Sequence, residues 1–391
     1  VYGILLGGLL GGGRLRLRPV AVDYLFGLLL FAHVASAVAT EHLYTGVSIF
    51  GSLLLQIVAP YFIARQALRD RATQRRVLRV LIFAVLVIAP FALVELRFFP
   101  NLYRRLMFMV RITEMPYEFA FYRFGLFRAV SSFQHPIDLG NSAGLLLAGI
   151  AILAVRSGVG LRDTWVRIGL AAALVSALAA MSFTTYFGLA AAGLLLLTLY
   201  RVPVSRRLLV PLVAVLIVLG FAYASYLAGA PLAEAPAGDS ALAGSRWMRQ
   251  LIIKRAWQYA TTAGPLGWGG AVDVADLESV DNAYLVIAIQ RGWLALALWL
   301  ALPVCLASLS ARALLRERTR SGTNAILLGF SAAIGTMVAM FTVWFGFVYA
   351  SLFVIILGVT VDAAQRSLAV RRSRSRAAEP APAAQPPASP A

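Results

Sequence analysis

The chain has 391 residues, 60% of them hydrophobic and only 13% charged, with 35 Lys and Arg against 17 Asp and Glu for a net charge of +18. So apolar a composition excludes an ordinary soluble domain and points to an all-α, polytopic membrane protein. The positive charge would suit a nucleic-acid partner, but the basic residues recur in loop after loop instead of gathering on one folded surface, which excludes that class too.

Along the chain, about eleven apolar runs approach the roughly 20 residues needed to cross a bilayer. Their cores are 1–13, 20–40, 46–64, 80–98, 138–155, 168–183, 185–200, 208–228, 282–309, 324–342 and 345–361. They predict one transmembrane domain over 1–365, with larger outer loops at 99–137 and 229–281. The tail at 366–391 is basic, then Pro/Ala-rich after Arg376, where it is expected to be disordered. The first run opens at Val1 without a Met, so a truncated or mis-started N-terminus is expected. Most basic residues fall in alternate connections, at 14–18, 65–79, 156–167, 201–207, 312–320 and 366–376. By the positive-inside rule those connections and the tail are cytoplasmic, and the two larger loops face outward. Cys305 lies within an apolar run and can form no internal disulfide. The histidines, His33, His42 and His135, lack metal-ligand spacing, so no metal or cofactor is expected.

Other basic residues sit where topology does not require them: Arg97, Arg104, Arg105, Arg111, Arg123, Arg128, Arg246, Arg249, Lys254, Arg255 and Arg291. Their concentration in two loops suggests a bound anion, with headgroup contact as the plainer alternative. The first loop alternates basic and apolar residues over 101–111 and then turns aromatic, the pattern of a helix lying in the membrane interface. At its end Arg128, His135 and Asp138 approach the mouth of the next helix. His135 could equally shape the turn made with Pro136. In the second loop a helix is expected over about 245–259 with Ser245 as N-cap. Arg246 and Arg249 share one face of it, and Arg255 points away. A glycine-rich turn at 264–270 follows, then Asp273, Asp276, Glu278 and Asp281, and Asp281 could serve as an N-cap for the next helix.

In combination and order these residues resemble the O-antigen ligase and O-antigen polymerase superfamily of bacterial envelope glycosyltransferases. The resemblance spans about residues 120–360. It is carried by Phe133-Gln-His135-Pro with Leu139-Gly140, by Ser245-Arg246 with Trp257, by Pro265-Leu-Gly267-Trp-Gly269, by Asp281-Asn282 with Tyr284-Leu285, and by Arg291-Gly-Trp293.

The resemblance implies a GT-C-like, metal-independent enzyme of the bacterial inner membrane with its active site on the extracytoplasmic face. Such enzymes move a glycan from an undecaprenyl-pyrophosphate carrier to a hydroxyl of another lipid-linked glycan or of a lipid A core. Arg246 and Arg249, helped by Arg128, would hold the donor pyrophosphate. Asp281 is the first candidate base and His135 the second. Asn282, Trp257, Gly267 and Gly269 would line the substrate site, and a chain-length regulator or export complex would be a partner. Two departures stand out. Asp281 occupies the place of the histidine typical of ligases, which favours a polymerase over a ligase. A mid-chain helix that often opens with Ser-Arg reads here Ser182-Phe183-Thr184-Thr185, so one anion-binding guanidinium is absent or supplied from elsewhere. The rival of another class is a lipid-linked oligosaccharide flippase. It is disfavoured because the ionisable residues within the apolar runs, Asp23, His33 and Glu95, lie mostly toward the ends of the runs, not at a midplane site.

Overall fold

A computed structural model of the chain describes residues 19–98, 101–110, 122–133, 135–202, 207–231, 241–269, 282–317, 319–341 and 347–377. Its elements in order are α1 (Ala21–Thr40), α2 (Leu43–Ala67), α3 (Arg71–Arg97), α4 (Leu102–Met109), β1 (Tyr122–Arg123), β2 (Leu126–Phe127), α5 (Pro136–Ser157), α6 (Thr164–Ala179), α7 (Phe183–Arg201), α8 (Leu209–Gly229), α9 (Ala241–Thr262), α10 (Ala283–Leu314), α11 (Arg320–Ala339) and α12 (Phe347–Ala377). Among the described residues nine helices are long and apolar enough to cross a membrane, and the protein is an all-α, multi-pass membrane protein. Ten of the expected runs correspond to helices. The one at 168–183 becomes α6, roughly 24 Å long at 1.5 Å per residue and short of a full span. The run at 1–13 lies outside the described residues.

Helix ends that the charge pattern assigns to one side do meet. On this side, the basic face, Asp362 accepts from Arg156 at 2.6 Å, Arg366 at 3.0 Å and Arg69 at 3.1 Å. Arg65, fully buried, pairs with Asp23 and also donates to Gln365. The basic stretch at 366–376 continues α12 as helix, and the Pro/Ala-rich residues 378–391 lie outside the described residues. On the opposite face Arg291 pairs with Glu41, and Arg123 reaches the carbonyl of Met181.

The core sits where α5, α11 and α12 pack against one another, with α3 and α6 on one flank, α7 on α11, and α1, α2 and α10 beyond α12. Between α7 and α11 the backbones nearly touch. A Cβ on Gly188 would stand 3.1 Å from the carbonyl oxygen of Gly335, the close approach that small residues permit between membrane helices. In α2 the proline at position 60 deprives the Gln56 carbonyl of its usual i+4 donor. The helix widens there into a π-turn over Leu54–Val58, and the Ser351 hydroxyl of α12 donates to that carbonyl at 2.8 Å.

The run expected as one span at 282–309 is broken. Gly292 has φ 81° and ψ 175°, so α10 consists of two helices, 283–291 and 293–314. The first begins with Ala283 N–H bonded to the carbonyl of Met340, at the end of α11, and finishes beside Ser36 and Glu41, at the end of α1. Both of its ends thus lie at the face opposite the basic one, and the segment crosses the end of the bundle. The remaining 293–314 reaches roughly 33 Å, a full span by itself.

Candidate functional site

The turn at 264–269 fills the break in α10. Trp268 and Gly269 donate their N–H groups to the carbonyls of Ile289 (2.8 Å) and Gln290 (3.1 Å), while Trp293 and Leu294 donate to Gly264 (3.1 Å) and Pro265 (3.2 Å). Ser36 of α1 adds a bond to Leu266 at 2.6 Å. These bonds take up the carbonyls and N–H groups that the break at Gly292 leaves without helical partners. Gly267, at φ 76°, passes so close to α10 that a Cβ would stand 2.6 Å from the Gly292 nitrogen, and one on Gly269 would meet Thr40 and Glu41. The turn and the Arg291-Gly-Trp293 motif are therefore one structural unit. Gly267 and Gly269, expected to line a substrate site, are seen holding backbones together. Trp257 packs against the core.

Asn282 is the N-cap of α10. Its Oδ1 accepts from Tyr284 and Leu285 N–H, both at 3.1 Å, and its Nδ2 donates to the Phe341 carbonyl at 3.0 Å. The capping place considered for Asp281 is thus taken by its neighbour, while Asp281 itself lies outside the described residues. The second-loop helix runs from Ala241, so Ser245 sits one turn inside it and not at its N-cap, because Ala241-Leu-Ala243 are strong helix formers. Arg246 and Arg249 belong to that helix, and their side chains fall outside the described structure.

A second cluster gathers the other predicted residues. Among the described residues, the loop expected to be an interfacial helix is helical over α4. Tyr122–Phe127 instead forms a hairpin whose turn, Phe124-Gly125, has both φ angles positive (54° and 75°), the geometry that matches strand twist. From this hairpin Arg123 donates to the Met181 carbonyl at 2.6 Å and lies over the Phe183 ring at 4.7 Å. Arg128 donates to Ala180 at 3.2 Å. Both guanidinium groups are thereby fixed at the head of α7. Only the spacing Arg123 to Arg128 across an aromatic-glycine turn hinted at this in the sequence.

What holds the loop is Glu95, fully buried near the end of α3. Its carboxylate accepts from Ser131 N–H at 2.6 Å, Val130 N–H at 2.8 Å and Tyr103 N–H at 3.2 Å. Just beyond, His135 caps α5, its Nδ1 accepting from Ile137 N–H at 3.2 Å. That bond leaves the proton of the neutral ring on Nε2. Burial, with the charge of Arg128, lowers the His135 pKa to about 4. Since this lies below the 6.5 of an open imidazole, the neutral ring is the favoured form. Its stabilising share is present above about pH 6.5 and is lost as pH falls toward 4. In a variant with His33 and His42 replaced by Asn, nuclear magnetic resonance titration of ¹⁵N-labelled histidine should give a midpoint near 4; one near 6.5 would mean a solvated ring.

Beneath the cluster lies a cavity of about 220 Å³ between α5, α7 and α11. Asn141 and Thr185, bonded to each other at 3.1 Å, lie at the end nearest the arginines, and Met340 lines the wall. Met340 receives the Ala283 N–H, so the Asn282 cap adjoins the cavity wall, while the carbonyl of Ala180 that holds Arg128 belongs to a residue packed against Gly140, next to Asn141 on the lining. Compared with known proteins, the chain matches no family model and no curated protein.

Proposed function

We propose that this protein is a metal-independent glycosyltransferase of the bacterial inner membrane that polymerises surface or exopolysaccharide repeat units. It takes a growing glycan from an undecaprenyl-pyrophosphate carrier on the extracytoplasmic side. An acceptor hydroxyl oxygen bonds to the anomeric carbon as the bond from that carbon to the pyrophosphate oxygen breaks. The hydroxyl proton passes to a base, with Asp281 the first candidate, and the carrier departs with the pyrophosphate charge. His135 suits that role less, because its Nδ1 is engaged in the cap. Guanidinium groups fixed in a partly dehydrated place hold such a charge well.

The observation that carries this reading is the pair Arg123 and Arg128, anchored by carbonyls at the head of α7 above an apolar cavity. Transport is less well supported. A broken helix in a transporter offers its backbone to substrate, whereas the break in α10 is filled by the chain's own turn.

The test is to give the purified protein a synthetic undecaprenyl-pyrophosphate repeat unit with EDTA and no other acceptor, and to size the lipid-linked products. A ladder is expected, with its rate reduced about 100-fold or more in Arg128→Ala and Arg246→Ala. Unchanged chain length in Arg246→Ala and Arg249→Ala would overturn the assigned pyrophosphate site. Transfer only when a lipid A core is supplied would make the protein a ligase.

A further inference from the structure

The geometry points to the cavity between α5, α7 and α11 as the seat of a single isoprenoid chain, whose pyrophosphate head meets Arg123 and Arg128 at its upper end. This rests on the transferase reading and names where its lipid substrate is held. Apart from Asn141, Thr185, Ser331, Thr336 and Tyr349 the cavity's lining is apolar, and its walls are cut back by glycine and alanine, among them Gly144, Ala148 and Gly193. Its lining runs along α5 from Asn141 to Ala151, roughly 15 Å of helix at 1.5 Å per residue, so a chain could enter to about the middle of the bundle. Gly193 is exposed on the side of α7, and a Cβ added there would meet no atom within 4 Å. The cavity is therefore open sideways, in the direction from which a lipid chain embedded in a bilayer would slide in.

The polar end fits the head of such a lipid. Arg128 is tied to Ala180 and Arg123 to Met181, and Ala180 in turn packs against Gly140, next to Asn141 on the cavity lining. Two fixed cations match the two phosphoryl groups of a pyrophosphate, and one narrow cavity matches one chain and not the two of a glycerophospholipid. Thr185, bonded to Asn141, marks the boundary between the charged head and the hydrocarbon.

Undecaprenyl pyrophosphate and, separately, inorganic pyrophosphate would be titrated into the full-length protein in nanodiscs. Gly193→Leu places a branched side chain in the cavity without striking protein and displaces a comparable volume of lipid chain. It should weaken undecaprenyl pyrophosphate binding by about tenfold or more while leaving inorganic pyrophosphate unaffected. Gly27→Leu, on the outward side of α1 where an added Cβ also meets open space, should change neither. Arg123→Ala and Arg128→Ala should weaken both ligands. Undiminished undecaprenyl pyrophosphate binding in Gly193→Leu would overturn the proposal, as would equal competition by phosphatidylglycerol. Binding sensitive to Gly193 without any glycan transfer would keep the seat and remove the transferase. A product ladder indifferent to Gly193→Leu would do the reverse.

Discussion

Replacing Gly292 by alanine should destabilise the protein by several kcal/mol, enough to remove most of the folded material. The backbone at φ 81°, ψ 175° lies in a region that essentially only glycine occupies, which alone costs a side chain about 1–3 kcal/mol. The new Cβ would also collide with the Pro265 carbonyl oxygen and the Gly267 nitrogen. Relieving that collision means withdrawing the turn, and each buried backbone group then left unpaired adds about 1–3 kcal/mol. Thermal unfolding in detergent, followed by size-exclusion chromatography, reads this directly. Gly267→Ala should behave alike, and the double variant should lose much less than the sum of the two, since either change opens the same contact. Gly51→Ala, where a Cβ meets nothing, is the control. A Gly292→Ala protein with an unchanged melting temperature would show that the turn does not depend on the break.

Glu95→Gln should release the arginine-bearing loop from the bundle. The carboxylate satisfies Val130, Ser131 and Tyr103 N–H groups together, and an amide offers only one acceptor oxygen beside a donor that faces other donors. Hydrogen bonds to a charged group are worth about 1.5–3 kcal/mol each, so losing two should cost on the order of 3–6 kcal/mol locally. Hydrogen exchange at Val130 and Ser131 should accelerate by two orders of magnitude or more, while that of α11 stays as it was. Transfer activity should fall with it, because Arg128 and His135 hang from this loop. Protection at Val130 and Ser131 equal to the parent protein would mean that the hairpin holds itself.

The helices were legible because a bilayer demands long apolar runs, and the Arg-rich connections ordered them correctly into two faces. The break at Gly292 was not legible. Residues 283–289 are as apolar as any membrane span, since they are buried in protein, and hydropathy does not distinguish protein from lipid. The glycines at 264–269 and 292 announced unusual backbone, but nothing in the sequence said that they meet each other. The cap of α10 was read one residue early, at Asp281, because Asp and Asn cap helices almost equally well and only the structure shows which of the two neighbours starts the helix. Arg123 was grouped with the other outer basic residues but given no role of its own, because its partners, Met181 and Phe183, lie nearly sixty residues away, a separation at which pattern carries no information about contact. Glu95 was read as a stray charge at the end of a span, since its partners are backbone N–H groups, which every residue except proline possesses.

The filled break in α10 also constrains how the chain can be assembled. Residues 264–269 leave the ribosome before 289–294 and cannot dock until those residues follow. Until the two meet, 283–314 can insert as an unbroken helix, Gly292 included, because its backbone groups then pair with one another. The bend is therefore acquired late, when the turn arrives and takes over four backbone bonds. The newly made helix must give up its outermost turns as membrane-crossing structure and lay them across its neighbours. Completion of the bundle and closure of its outer end are thus a single event in the life of the nascent protein.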